Sequence, residues 1–487
     1  MSARGRRAGA VLTLLVVLAG GGCAAFHYPV NARLTPDSPR VGYRFPDPPE
    51  GQQGDPRDQL FVCIAMSGGG TRAAAFAYGV LQALRDVRID HNGLGSLLDE
   101  VDCLSGISGG SFTAAGYVVL RDRFFSEFPK RFLEPNVQAR LALTAANPLN
   151  LVRLMSPYLS RIDLAAELYG RLLFGDTTFK ALDPDRRPVV ILNATNMADG
   201  ASFEFTQDYF DFLGSDLASV PIARAVAASS AFPFLLSPIT VWSYPGPYSD
   251  SDHLRPDVAQ ALRDRETNLF RYRWAQNLQD LTTRDAKYIH LLDGGLADNI
   301  GARPIINAFS RESGFVRRRM NNNQIRRFVV LLVNARTAPA EHLTRSPQGP
   351  GIVSVGLTTA TTPMDNFSSD TVELMQRMVT EDEKAQRSIA ACNARLAACT
   401  PPPPPLAVLP SVRGCVIELS FEGLEAADRD ELLSYPTSFS LTDAQVKKLI
   451  EAGSTLLGRS QDFQRLLRAL RGEPAIGQGI GERDRCS

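Results

Sequence analysis

The chain has 487 residues, 44% of them hydrophobic and 21% charged, enough to bury a sizeable core in one large domain or two to three smaller ones. Its 52 basic and 52 acidic residues cancel; without residues 1–22, which carry Arg4, Arg6 and Arg7 and no acid, the balance is 49 against 52. A near-neutral chain of this kind lacks the basic footprint of a nucleic-acid binder.

"MSARGRRAGAVLTLLVVLAGGGC" opens the chain with a basic head, an apolar run from Ala8 to Ala19, and small residues up to Cys23. That is the layout of a bacterial export signal. The run falls short of the roughly 20 residues that span a bilayer. The cysteine after it resembles a lipoprotein lipobox, with Gly20 standing where the pattern has leucine. This resemblance implies cleavage after residue 22 and diacylation of Cys23. With Ala24 following, it also implies an outer-membrane lipoprotein of the bacterial cell envelope, facing the periplasm. Residues 23–58, rich in Pro, Gly, Asp and Arg, then read as an extended tether.

From residue 59 the pattern alternates. "LFVCIAMS" reads as a strand, "TRAAAFAYGVLQALRD" as a helix, "VDCLSG" as a strand and "GSFTAAGYVVLRD" as a helix. "PVVILNAT", "KYIHLLDGG", "RRFVVLLVNA" and "CVIELSF" continue as strands with helical segments between them. Short, continuously apolar strands separated by helices predict an α/β fold: three layers, with a mainly parallel central sheet covered on both faces. The helical stretch at about 121–180 is too long for a simple crossover and predicts an inserted cap, which either closes over an acyl chain or packs on its own domain. A proline-rich loop at 400–410 is followed by a further strand and by the helix "LTDAQVKKLIEAG", whose Thr442 and Gln445 form a capping box. These elements place one domain over residues 59–458, with a C-terminal helix and tail at 459–487. The basic run from Arg317 to Arg327 reads as a solvated loop or a contact for anionic headgroups.

Cys63 and Cys103 lie inside apolar strands and are expected as small buried side chains. Cys392, Cys399, Cys415 and Cys486 fall in the last hundred residues, where an oxidising compartment allows a disulfide whose pairing the sequence leaves open. Neither the cysteine spacing nor the five scattered histidines forms a metal-ligand pattern, so neither a metal nor another cofactor is expected.

Candidate chemistry begins at "GISGG". Gly106-Ile107-Ser108-Gly109-Gly110 is G-x-S-x-G between a strand and a helix, the setting of a nucleophile elbow at Ser108. In "MSGGGTRAAAF" the residues Gly68, Gly69 and Gly70 open the preceding helix and present backbone N–H groups suited to an oxyanion, as does Gly109. The run lacks G-K-[ST] and does not fit the dinucleotide fingerprint. Arg72 is placed to contact an anionic substrate or to fix the loop. Among possible bases, His290 lies three residues before Asp293 on one strand and so faces the other side. His27, His91 and His253 sit in the tether or in loops, and His342 completes a triad only through a loop. Asp293, at a strand end before Gly294-Gly295, is the stronger partner for Ser108, with a helix cap as its alternative role.

"SGGGTRAAAFAYGVL", "GISGGS", "AVAASSAFPFLLSP" and "LLDGGLADNIG" together resemble the patatin-like phospholipases in order and spacing, over roughly residues 59 to 335. "YPTSFSLTDAQVKKLIEAG" resembles the tail of bacterial members. Ala73 departs from the family's loop, which often has a final glycine there. The resemblance implies a patatin-like fold and a Ser/Asp dyad without histidine: Ser108 as nucleophile, Asp293 as base and the glycine loop as oxyanion hole. The implied activity is hydrolysis of phospholipids or other acyl-ester lipids at a membrane surface reached through a lipidated N-terminus. An acyltransferase or thioesterase using the same dyad and a non-catalytic envelope scaffold are the alternatives.

Overall fold

A computed structural model of the chain describes residues 25–35, 42–46, 59–89, 95–244, 255–283, 287–337, 347, 349–407, 412–472 and 486. The expectations placed on residues 1–24, including Cys23, and on His91, His253 and His342 lie outside the described residues.

The described residues form one eight-stranded sheet. Its strands are β1 (Leu60–Met66), β2 (Val101–Ile107), β3 (Val189–Asn196), β4 (Ser202–Glu204), β5 (Ile239–Trp242), β6 (Tyr288–Asp293), β7 (Arg327–Asn334) and β8 (Arg413–Ser420). They run in the order β5-β6-β3-β2-β1-β7-β8, with β4 paired to β3. The block from β3 to β8 through β1 is parallel, whereas β6 is antiparallel to both β3 and β5. The fold is therefore α/β with a mostly parallel sheet. Every residue of β1, β2 and β3 is buried, which is why these strands read as continuous apolar runs.

Helix α1 (Gly70–Asp86) follows β1, and α2 (Gly109–Leu120) follows β2. The stretch between β2 and β3 includes α3 (Val137–Ala146), α4 (Pro148–Arg153) and α5 (Arg161–Tyr169). Beyond it come α6 (Ile222–Ser229), the single turn α7 (Gly295–Asp298), the long α8 (Ile352–Ala397), α9 (Asp443–Arg459) and α10 (Gln461–Leu470). The expected capping box of Thr442 and Gln445 starts α9, which lies along α1. The inserted stretch is held by aromatic stacking. Phe112 of α2 stacks on Phe132 at 4.2 Å and meets Tyr169 edge-on at 4.7 Å, while Phe439 closes the cluster. Such pairs add about 0.5–1.5 kcal/mol each beyond the area they bury.

Three expectations change. The presumed tether is not free: Tyr43 and Phe45 are buried, and the Tyr43 hydroxyl accepts the Val190 N–H at 2.7 Å, filling a vacancy at the start of β3. Asn31 is likewise buried against Ser215 and Trp242. Cys63 and Cys103 are paired rather than separate, because the parallel register sets them opposite each other with Cα atoms 4.6 Å apart. Cys415 and Cys486 form a second disulfide, leaving Cys392 and Cys399 free and exposed. The basic run is not a solvated loop. Phe315–Asn321 is helical, with Arg317 paired to Asp382 at 2.8 Å and Arg319 donating to the Pro46 carbonyl.

Candidate active site

β2 ends at Ile107 and α2 begins at Gly109, leaving Ser108 alone at the turn with φ 48° and ψ −114°. A serine holds so uncommon a conformation only where its surroundings impose it. Here the Ser108 N–H donates to Ser229 Oγ at 3.0 Å, and the hydroxyls of Ser229 and Ser111 share a hydrogen bond at 2.6 Å. Gly109 must be glycine because a Cβ there would stand 2.1 Å from the Gly70 carbonyl oxygen. The turn after β2 thus touches the glycine loop after β1.

That loop is left-handed at Gly69 (φ 138°) and Gly70 (φ 60°). The four sequence-predicted donors, three in this loop and Gly109 in the turn after β2, divide. The Gly68 N–H is spent on the Asn299 carbonyl at 3.0 Å, which removes Gly68 from the candidate set. No hydrogen bond among the described residues engages the N–H of Gly69, Gly70 or Gly109. These groups open α1 and α2, where helix geometry leaves N–H groups unpaired and partially positive. Arg72 is turned into the protein. Its guanidinium is buried and donates to the carbonyls of Ala335 and Tyr435 and to Thr437 Oγ1, at 2.6–3.1 Å. The Thr71 N–H bonds to the Ser438 carbonyl in the same region, so Thr71 and Arg72 brace the loop against the C-terminal segment.

Asp293 is the last residue of β6 and is only 1% exposed. Its backbone is fixed at both ends: the N–H donates to the Ala231 carbonyl, and its own carbonyl accepts from Thr195 Oγ1 at 2.8 Å. The carboxylate accepts the Gly295 N–H at 2.9 Å and lies next to the Ser108 hydroxyl, which favours its charged form. The capping role and the contact with serine therefore coexist. Burial pushes the carboxyl from 3.8 up to about 7, and these two contacts only partly offset that rise. His290 is exposed on the opposite side of β6, 3.1 Å from Thr240 Oγ1. Among the described residues no three His, Cys, Asp or Glu side chains converge as metal ligands.

Several contributors are not visible from sequence spacing. Ser229 supplies the acceptor for the Ser108 N–H, and the next residues after it fix Asp293, so the motif "AVAASSAFPFLLSP" joins the two halves of the site. Asn299 Oδ1 is buried without a hydrogen-bond partner among the described residues and sits against Gly68. Met364 of α8 packs its terminal methyl on Gly295. Ser108 is 8% exposed. The arrangement offers a hydroxyl on a strained turn, a buried carboxylate of raised proton affinity in contact with it, and three unpaired N–H groups close by.

Solved structures resemble this chain at low identity. Human GIVD cytosolic phospholipase A2 aligns over 85% of this chain and 63% of its own, with 14% identity and a TM-score of 0.41. The same human protein in complex with methyl gamma-linolenyl fluorophosphonate aligns over 85% and 60%, at 15% identity and a TM-score of 0.37. VipD from Legionella pneumophila aligns over 89% and 72%, at 13% identity and a TM-score of 0.31. This chain therefore spans less than two thirds of the human protein's length. No curated protein sequence matches it significantly. Residues 64–306, which run from β1 past Asp293 and α7, match the Patatin family, and this chain carries a patatin-like phospholipase domain.

Proposed function

We propose that the chain is a lipid acyl hydrolase of the phospholipase or lysophospholipase type, working through Ser108 and Asp293. The observation that carries this reading is the contact between Ser108, held at φ 48°, and a buried carboxylate whose proton affinity is raised to about 7. A carboxylate of ordinary acidity is a weak base for an alcohol. Raised toward neutrality, it is matched to the working pH, where general-base catalysis is most effective.

In the proposed reaction Ser108 Oγ attacks the ester carbonyl carbon as its proton passes to Asp293. The carbonyl oxygen becomes an oxyanion received by the N–H groups of Gly69, Gly70 and Gly109, each such donor contributing about 3–4 kcal/mol of barrier lowering in comparable sites. Collapse breaks the ester C–O bond, and Asp293 returns the proton to the departing alcohol. Water then repeats the sequence against the acyl-serine, with Asp293 again taking and returning a proton, and the fatty acid leaves. The acyltransferase and thioesterase readings share the first half and differ only in acceptor. The apolar run before Cys23 supports placing the protein on the cell envelope as a lipoprotein, with membrane lipid as substrate.

The test is fatty-acid release from mixed phospholipid micelles by the wild type, Ser108→Ala and Asp293→Asn, with and without chelator. Release that survives chelation and falls by several orders of magnitude in both variants is expected. Full activity in Asp293→Asn would move the base elsewhere, and a folded wild type inert on every ester would favour a scaffold. Release only on adding an alcohol or thiol acceptor would favour the transferase.

A further inference from the structure

Helices α3 and α4 have almost no buried face: only Val137 is buried in α3, and no residue is buried in α4. Yet they carry Leu143, Leu149, Leu151 and Val152, all exposed, with Met155 in the turn beyond. Leu149 is 77% and Met155 83% exposed, values that single side chains reach on ordinary surfaces but clusters seldom do. From Pro135 to Ile162 the chain contains Arg140, Arg153 and Arg161 and no acidic residue. Arg153 is paired with Glu167, which leaves Arg140 and Arg161 as the basic rim of this apolar surface, a combination that suits an anionic lipid surface.

The N-terminus identifies the occupant. Residues 25–28 are fastened to this hairpin. Arg153 Nε donates to the Ala25 carbonyl at 2.7 Å, Ser156 Oγ to the Phe26 carbonyl at 2.7 Å, and the Tyr28 N–H to the Tyr158 carbonyl at 3.0 Å. The His27 ring stacks on Tyr158 with centroids 4.5 Å apart. Cys23 precedes Ala25 by two residues, at most about 7 Å of extended chain. A membrane anchor at the N-terminus therefore delivers the exposed apolar hairpin to the bilayer.

A second apolar tip is joined to α5, the helix that follows. Phe234 and Leu235 are exposed, and the loop bearing them joins the start of α5, where the Ile162 N–H donates to Ser237 Oγ at 3.3 Å. The same loop begins at Ala231, whose carbonyl holds the Asp293 N–H. Leu235 is thus within about 14 Å of chain from the residue that positions Asp293.

We propose that the α3–α4 hairpin, with Met155 and the Phe234–Leu235 tip, is a docking face for a lipid bilayer, laid on it by the N-terminal anchor. Residues 25–28, being hydrogen-bonded to the hairpin, set the orientation of the domain, so that lipid reaches the Ser108 side from the leaflet. This inference rests on the reading of residues 1–23 as a membrane anchor.

The test uses the full chain, with its processed N-terminus, in vesicles of phosphatidylethanolamine and phosphatidylglycerol with brominated acyl chains. Tryptophan is introduced as Met155→Trp, as Leu149→Trp in parallel, and as Asp86→Trp at the far end of α1, about 24 Å from Gly70. Wild-type emission is subtracted. The expected result is a blue shift and loss of roughly half the added emission for Met155→Trp and Leu149→Trp, as for side chains at the headgroup–acyl boundary, and no change for Asp86→Trp. Flotation of the wild type and of Cys23→Ala reports the anchor separately. Flotation without quenching at either hairpin site overturns the docking face while leaving the anchor intact. Equal quenching at all three sites also overturns it, since it signals insertion of unfolded chain, and a wild type that stays off the vesicles overturns both readings.

Discussion

Replacing Asp293 with asparagine should stabilise the protein while abolishing its activity. The wild-type carboxyl is raised from 3.8 to about 7 by burial, and at about 1.4 kcal/mol for each tenfold this amounts to about 4 kcal/mol. A carboxyl raised in the folded state favours folding fully below its unfolded value, and that contribution is lost as the pH climbs through about 7. Asparagine carries no charge to bury, and its oxygen can still accept the Gly295 N–H while its nitrogen faces Ser108. At about pH 8 Asp293→Asn is therefore favoured by up to ~4 kcal/mol, about 4 °C in melting temperature for a domain of this size. The gain should shrink steadily toward pH 4, where both side chains are neutral. Melting curves of the two proteins, followed by circular dichroism across that range, read this directly. Other buried carboxyls, Asp102 among them, are common to both proteins and cancel in the difference. A variant less stable than wild type at pH 8, or a gap that ignores pH, would refute the assignment of a desolvated base.

For cleavage of an uncharged short-chain ester, kcat/KM should rise about tenfold per pH unit and level off above about 7, since Asp293 must be ionised to accept a proton; a flat profile from pH 5 to 9 would count against it. Ser229→Ala removes the acceptor of the buried Ser108 N–H and should cost about 1–3 kcal/mol of stability, with a drop in kcat of roughly tenfold and little change in KM. Parallel melting and kinetics separate the two effects. Arg72→Met strips the hydrogen bonds to Ala335, Tyr435 and Thr437 and should lose at least about 3 kcal/mol. Its preference between anionic and zwitterionic lipid should stay as in wild type, and a changed preference would restore Arg72 as a substrate contact.

What could be read in advance follows from what each feature depends on. The placement of Ser108 at a strand–helix turn, of Asp293 at a strand end and of the glycines at a helix start was legible because turns and close backbone approaches demand particular residues at short, fixed spacing. β1, β2, β3 and β7 were legible because near-complete burial leaves no polar alternation, whereas the short β4 and β5 gave no such run. Arg72 was not, because its partners lie 263 to 365 residues away and nothing local tells a bracing guanidinium from one that meets substrate. Gly68 failed for the same reason: its N–H is consumed by Asn299, far along the chain. The Cys63–Cys103 pairing depends on strand register, which hydrophobicity does not reveal in fully buried strands. The first half of α8 mixes Thr, Ser and Pro363, and this obscures its helical period. Residues 25–35 and 42–46 look like a linker by composition, yet Asn31, Tyr43 and Phe45 are buried against the domain.

The bracing of the glycine loop by residues 435–438 also orders events in time. Ser438 lies 330 residues after Ser108, and β7 and β8, which extend the sheet beyond β1, are likewise made late. On the ribosome the serine emerges long before the segment that holds Thr71 and Arg72 in place. The glycine loop thus stays unbraced throughout most of the chain's synthesis, and the last hundred residues complete it.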